Sequence, residues 1–140
     1  MPDPNSTGES GDTRYGQFPL RDHLGLDVSI TGPGTASASL TADDRHLNPN
    51  GVVHGAVLFA MVDTAMGAAA MSVVPEGSAC ASVEVHLRFL RPAMAGALST
   101  DVVVDRAGRR IVHLSGRVHA ADGGLVATAT ATFAVIAMPS

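Results

Sequence analysis

One cysteine, Cys80, is all the chain contains, so no intrachain disulfide can form and a reducing compartment suits it. A lone thiol of this kind is more often a small buried apolar residue than a nucleophile. Charge is scarce as well: 16% of residues are charged, the formal net charge is −4 and the pI is near 5.8. That balance gives no positive field for phosphate polymers, and no stretch gathers basic residues with aromatics, which argues against nucleic-acid binding. The opening residues, Met1 to Asn5, lack the basic start and apolar run of a secretory signal, so a cytoplasmic protein is expected. No Gly-x-Ser-x-Gly elbow is present, nor a glycine motif that cradles phosphate, and the six histidines show no metal-ligand spacing. No metal and no cofactor is expected on these grounds.

What is present is apolar. With 46% hydrophobic residues in 140, the chain can fill the core of one domain and still leave surface for a partner subunit to cover. Residues 1–14 are Pro, Gly, Ser, Asp and Thr with almost nothing to bury, and read as a disordered tail before a single domain over 15–140. The run from Gly55 to Val74 has membrane-spanning length but carries Asp63 at its middle. A central Asp opposes insertion by roughly 2.5–3.5 kcal/mol, the run is rich in Ala, Met and Gly, and no basic cluster flanks it. It is therefore expected to be a buried helix, with no membrane as partner.

The periods along the chain give the rest of the expected order. Phe18 to Leu26 can form a helical turn, and Asp27 to Leu40 reads as a strand interrupted near Gly32-Pro33-Gly34. Asp43 to Gly51 has loop chemistry in Pro49 and Asn50-Gly51, and a helix from about His54 to Val74 follows, stopped by Pro75 and Gly77. Val83, Val85, Leu87 and Phe89 then alternate with Ser82, Glu84, His86 and Arg88 as in a half-buried strand. Strands over Leu98 to Asp105, Val112 to His119 and Ala127 to Phe133 come next, with hairpin turns at Ala107-Gly108 and Asp122-Gly123-Gly124. A long helix that is apolar nearly all round needs a sheet curled about it, so the expected class is α+β: one central helix wrapped by a curved antiparallel sheet of five to six strands.

The chemistry lies in Asn48-Pro49-Asn50-Gly51-Val52-Val53-His54-Gly55-Ala56, with Asp63 further along the helix. Gly55 falls at a helix start, where backbone N–H groups lack intrahelical partners and the helix dipole favours negative charge. Without a side chain it lets a carbonyl approach its amide, as an oxyanion donor must. Asn48 has an amide that can hold a carbonyl or a water, and His54 reads as a brace for the loop ahead of a base. Asp63 is the only ionisable side chain in an apolar helix, where an unpaired carboxylate is costly; either a hydroxyl such as that of Thr64 caps it, or it does chemistry as general base or nucleophile. Nine residues at about 100° each put Asp63 half a turn of azimuth from His54 and roughly 13 Å along the axis. The two cannot share one site within one helix, but two helices side by side across a two-fold axis bring Gly55 of one copy to Asp63 of the other.

The spacing of Asn48, His54, Gly55 and Asp63, continued through Ser82 to Pro92 and the Gly108-Arg109-Arg110 turn, resembles the hot-dog fold acyl-CoA thioesterases of the 4-hydroxybenzoyl-CoA thioesterase superfamily. The nearest branch is that of phenylacetate-pathway-like and human thioesterase-superfamily-like enzymes, and the likeness covers about Leu24 to Val135. Ala56 departs from the usual second glycine after the His. The resemblance implies a hot-dog fold, an acyl-CoA or aryl-CoA substrate hydrolysed to free acid and CoA, a site shared across a homodimer, and Ser82 beside Asp63 to orient a water; a dimer of dimers is the expected full assembly. Arg91 and Arg109 are the candidates for the CoA phosphates, and Phe59, Met61 and Met66 for the walls of the acyl pocket. The alternatives are a hot-dog enoyl-CoA hydratase or dehydratase, and a non-catalytic acyl-CoA-binding protein.

Overall fold

A computed structural model describes residues 17–138; the expected tail over 1–14 lies outside the described residues. A short helix α1 (Pro19–Leu24) leads into strands β1 (Asp27–Gly32) and β2 (Thr35–Ala42), which a turn at Pro33-Gly34 separates where the sequence predicts an interruption. Helix α2 (Gly55–Met71) follows, then β3 (Ser78–Phe89), β4 (Gly96–Ala107), β5 (Ile111–His119) and β6 (Leu125–Ala137). Among the described residues these six strands form one antiparallel sheet in the order β1-β2-β4-β5-β6-β3, so β3 sits at an edge and pairs only with β6. α2 packs against all six strands, which is the hot-dog arrangement. Among the described residues no helix is long and apolar enough to cross a membrane.

The core explains why α2 stays inside. Met61, Val62, Ala65, Met66, Ala69 and Ala70 are wholly buried against inward-facing Val112, Leu114, Val118 and Phe133. Met61 and Met66 at 0% exposure are therefore core residues facing the sheet, which corrects their expected place in a pocket wall. A Cβ at Gly116 would lie 2.8 Å from Val102 Cγ1 and 3.4 Å from Met66 Cε, so this glycine is what lets helix and sheet approach so closely. The sheet leaves one stripe of α2 uncovered: Ala56, Phe59, Ala60 and Asp63 recur at helical spacing and are exposed or half-buried.

Two local features depart from the sequence pattern. α2 ends at Met71, before the predicted Val74, because Ser72 caps it; its hydroxyl donates to the Ala69 carbonyl at 2.6 Å and accepts from the Gly34 amide at 2.8 Å. In β3 the register jumps: Ser82 lies opposite Phe133 and Glu84 opposite Thr132, leaving Val83 as a bulge. Residues opposite one another share a face, so Ser82 joins Val85 and Leu87 on the helix-facing side while Val83 is 63% exposed. Strict alternation puts Ser82 on the wrong side.

Candidate active site

The loop ahead of α2 is built by its own polar groups. Asn48 Oδ1 accepts from the amides of Asn50 at 2.9 Å and Val52 at 3.4 Å, and the left-handed φ of 78° at Gly51 closes the turn. That leaves the Nδ2 donor of Asn48 as the part available to a ligand. The loop is tied down on both sides, by Val53 N to the Ala93 carbonyl and His54 N to the His46 carbonyl, each 2.8 Å. His54 caps α2: its Nδ1 accepts from Ala56 N at 2.9 Å, so its ring proton sits on Nε2. Among the described residues the Gly55 amide, next to it, has no acceptor within the chain. Asn48, His54 and Gly55 thus come together, with one free N–H of a 17-residue helix at their centre.

His46 was not singled out by its sequence. It is 2% exposed, its Nδ1 accepts from Asp43 N at 3.0 Å and its Nε2 donates to the Leu24 carbonyl at 2.8 Å. Its ring therefore fastens α1 to the strip of backbone that carries His54 and Gly55. The signal was the Asp43-x-x-His46 spacing, a capping box with histidine in the place usually taken by Glu or Gln.

Asp63 and Ser82 come together about two turns further along α2. Burial pushes the Asp63 carboxyl above the usual carboxylate range, and the Ser82 hydroxyl beside it works in the opposite direction. Asp63 Oδ1 is buried and accepts no hydrogen bond among the described residues. The hydroxyl that lowers its pKa belongs to Ser82, and the bulge at Val83 is what turns Ser82 to the helix-facing side. Within one chain this pair stays apart from Gly55, roughly 12 Å along the helix axis.

The arginines lie at opposite ends of the sheet. Arg91 follows β3 at the Gly55 end and is matched to Asp122 at 2.7 Å; the Gly124 amide first, and Arg91 second, hold that carboxyl below its ordinary range. Arg109 lies in the β4–β5 turn, at the end where Gly34 meets Val104 and the C-terminus of α2, and it makes no ion pair among the described residues. The structure does not bring the two together in one chain. Among the described residues no group of three or more His, Cys, Asp or Glu converges.

A fold of one helix on a six-stranded antiparallel sheet, with a free amide at the helix start and a half-buried carboxyl further along, defines the class. The profile of the thioesterase superfamily matches residues 50–127, more than half the chain, and the protein belongs to that family. A Haemophilus influenzae protein named as an esterase is 29% identical over 89 residues, covering 64% of each chain, so the match spans under two thirds of that relative's length. The crystal structure of a thioesterase family protein from Silicibacter pomeroyi superposes with a TM-score of 0.84 at 26% identity, over 89% of this chain and 94% of that one. A phenylacetic acid degradation-related protein from Ralstonia eutropha gives 0.76 at 33% identity, over 87% and 96%.

Proposed function

We propose that the protein is an acyl-CoA thioesterase whose active site is completed by a second copy of the chain. Asp63 is the observation that carries this reading: a carboxyl held in a half-buried place, with one oxygen unpartnered and a serine hydroxyl beside it, is poised to act on a water. In the proposed step the Asp63 carboxylate takes a proton from a water that Ser82 helps to orient. The water oxygen bonds to the thioester carbon, and the carbonyl oxygen becomes an oxyanion facing the Gly55 amide of the partner copy. Asn48 Nδ2 supplies a second donor for the carbonyl. Collapse breaks the carbon–sulfur bond, and the CoA thiolate takes the proton, giving free acid and CoA. His54 holds the helix start in place. Direct attack by Asp63 to form an anhydride is the competing route, and mass spectrometry of the protein after turnover in heavy-oxygen water separates the two, since only the anhydride route can label Asp63.

The copies would meet along the uncovered stripe of α2 and the free edge of β3, where Phe59 is 41% and Val83 63% exposed. Two such dimers back to back would make the full assembly. Arg109, which makes no ion pair among the described residues, is the better candidate for a CoA phosphate; Arg91 reaches one only by giving up Asp122. Its lone cysteine fits a place in the cytoplasm. The test is release of free thiol from a panel of acyl-CoAs, from acetyl through aromatic to long-chain. Loss of enoyl-CoA absorbance without thiol release would instead mark a hydratase, and binding with neither reaction a carrier.

A further inference from the structure

Phe89 closes β3 and lies opposite Ala127, which puts its ring on the helix-facing side with Val85 and Leu87. The ring reaches the start of α2: a Cβ built on Gly55 would lie 3.0 Å from Phe89 Cζ and 3.2 Å from Cε1. Its backbone is fixed on both sides, by the pairing with β6 and by Leu90 N donating to the Val126 carbonyl at 2.8 Å. The Arg91–Asp122 pair then pins the loop that follows. Yet the residue is 56% exposed, so it does not serve to fill the core of its own chain. A large ring, held from below and left open above, flanks the one free amide of the helix start.

We infer that Phe89 is a specificity-determining wall at the oxyanion amide, selecting acyl thioesters that are unbranched at the carbon next to the carbonyl. The inference rests on the thioesterase reading above. A carbonyl oxygen seated on the Gly55 amide brings its neighbouring carbon alongside whatever covers Gly55, and that is the Phe89 ring. A straight chain runs past the ring, whereas a methyl branch on that carbon meets it. Steric discrimination of one carbon in an apolar site is worth about tenfold or more in kcat/KM.

The test compares matched isomers, straight-chain acyl-CoAs against their 2-methyl-branched counterparts of equal carbon number, in the wild type and in variants of Phe89. Phe89→Ala is expected to raise the branched-to-straight ratio of kcat/KM about tenfold. Phe89→Leu should move it the same way, and Phe89→Trp should lower it. Phe89→Tyr keeps the ring and should leave it in place. Thermal melts identify any variant that fails to fold, and the remaining variants still decide the direction. Wild-type hydrolysis with a ratio unmoved by either smaller or larger side chains would overturn the role of Phe89 and leave the thioesterase reading standing. No hydrolysis of any thioester by the wild type would overturn both.

Discussion

Asp63 stands between two demands. Burial favours its neutral form, and the proposed role as a base needs the charged one. Because its folded pKa is raised, the stability linked to this group is fully present below the unfolded pKa and is lost as pH rises through the folded one. Asp63→Asn should therefore melt higher than the wild type near neutral pH, and the gap should close as pH falls below about 4. Equal melting at both pH values would mean that burial exerts no strain on the group. The same variant should lose about a hundredfold or more in turnover while still binding acyl-CoA, as removal of a base or nucleophile does. Ser82 opposes the upward shift, so Ser82→Ala should move the acid limb of kcat/KM to higher pH with a smaller fall in the plateau. An acid limb that stays put would show that Ser82 does not act on Asp63.

At the scale of elements, two substitutions test how the site is held. His46→Ala strips partners from the Leu24 carbonyl and the Asp43 amide in a buried place, and leaving such groups unpaired costs about 1–3 kcal/mol each. Denaturant titration should show that loss, with faster amide exchange in α1 and at His54; unchanged exchange at His54 would mean the ring does not support the helix start. Gly116→Ala forces a methyl into the seam between Met66 and Val102 and should destabilise by about 1–3 kcal/mol, read from the shift in the denaturant midpoint. Element types were legible in the sequence because their periods are clean: the turn at Pro33-Gly34, the long helix and four later strands occur in the expected order, though their ends differ by a few residues. Faces were less so. A helix apolar nearly all round does not say which side meets the sheet, so Met61 and Met66 read as pocket wall when they are core. Nothing in Ser82-Val83-Glu84 marks a bulge, so alternation put Ser82 on the wrong face, and only the likeness to a family set it beside Asp63. Asn48, His54, Gly55 and Asp63 stand out as candidates in the sequence because their spacing is local. The parts played by His46 and Phe89 depend on contacts across the fold with Leu24 and Gly55, which no local pattern carries.

For the whole molecule the decisive question is whether the site spans two copies. One chain holds both halves of the proposed site, Gly55 with Asn48 at the start of α2 and Asp63 with Ser82 further along, but on one helix the halves lie roughly 12 Å apart along the axis. A two-fold axis along the uncovered stripe of α2 reverses one helix against the other and gives each copy's amide a carboxyl. Such a site can be rebuilt from two inactive proteins. Asn48→Ala and Asp63→Asn should each be inactive as homodimers. Coexpressed in equal amounts with random pairing, they give about half heterodimers, each with one doubly damaged site and one intact site. The intact site takes Asn48 and Gly55 from the Asp63→Asn chain and Asp63 from the Asn48→Ala chain, so thiol release should return to roughly a quarter of wild type. Were both residues to serve a site within one copy, every site would carry a lesion and mixing would restore nothing. Native mass spectrometry confirms that heterodimers formed, and their presence without recovered activity would falsify the shared site while leaving the family assignment and the role of Asp63 intact.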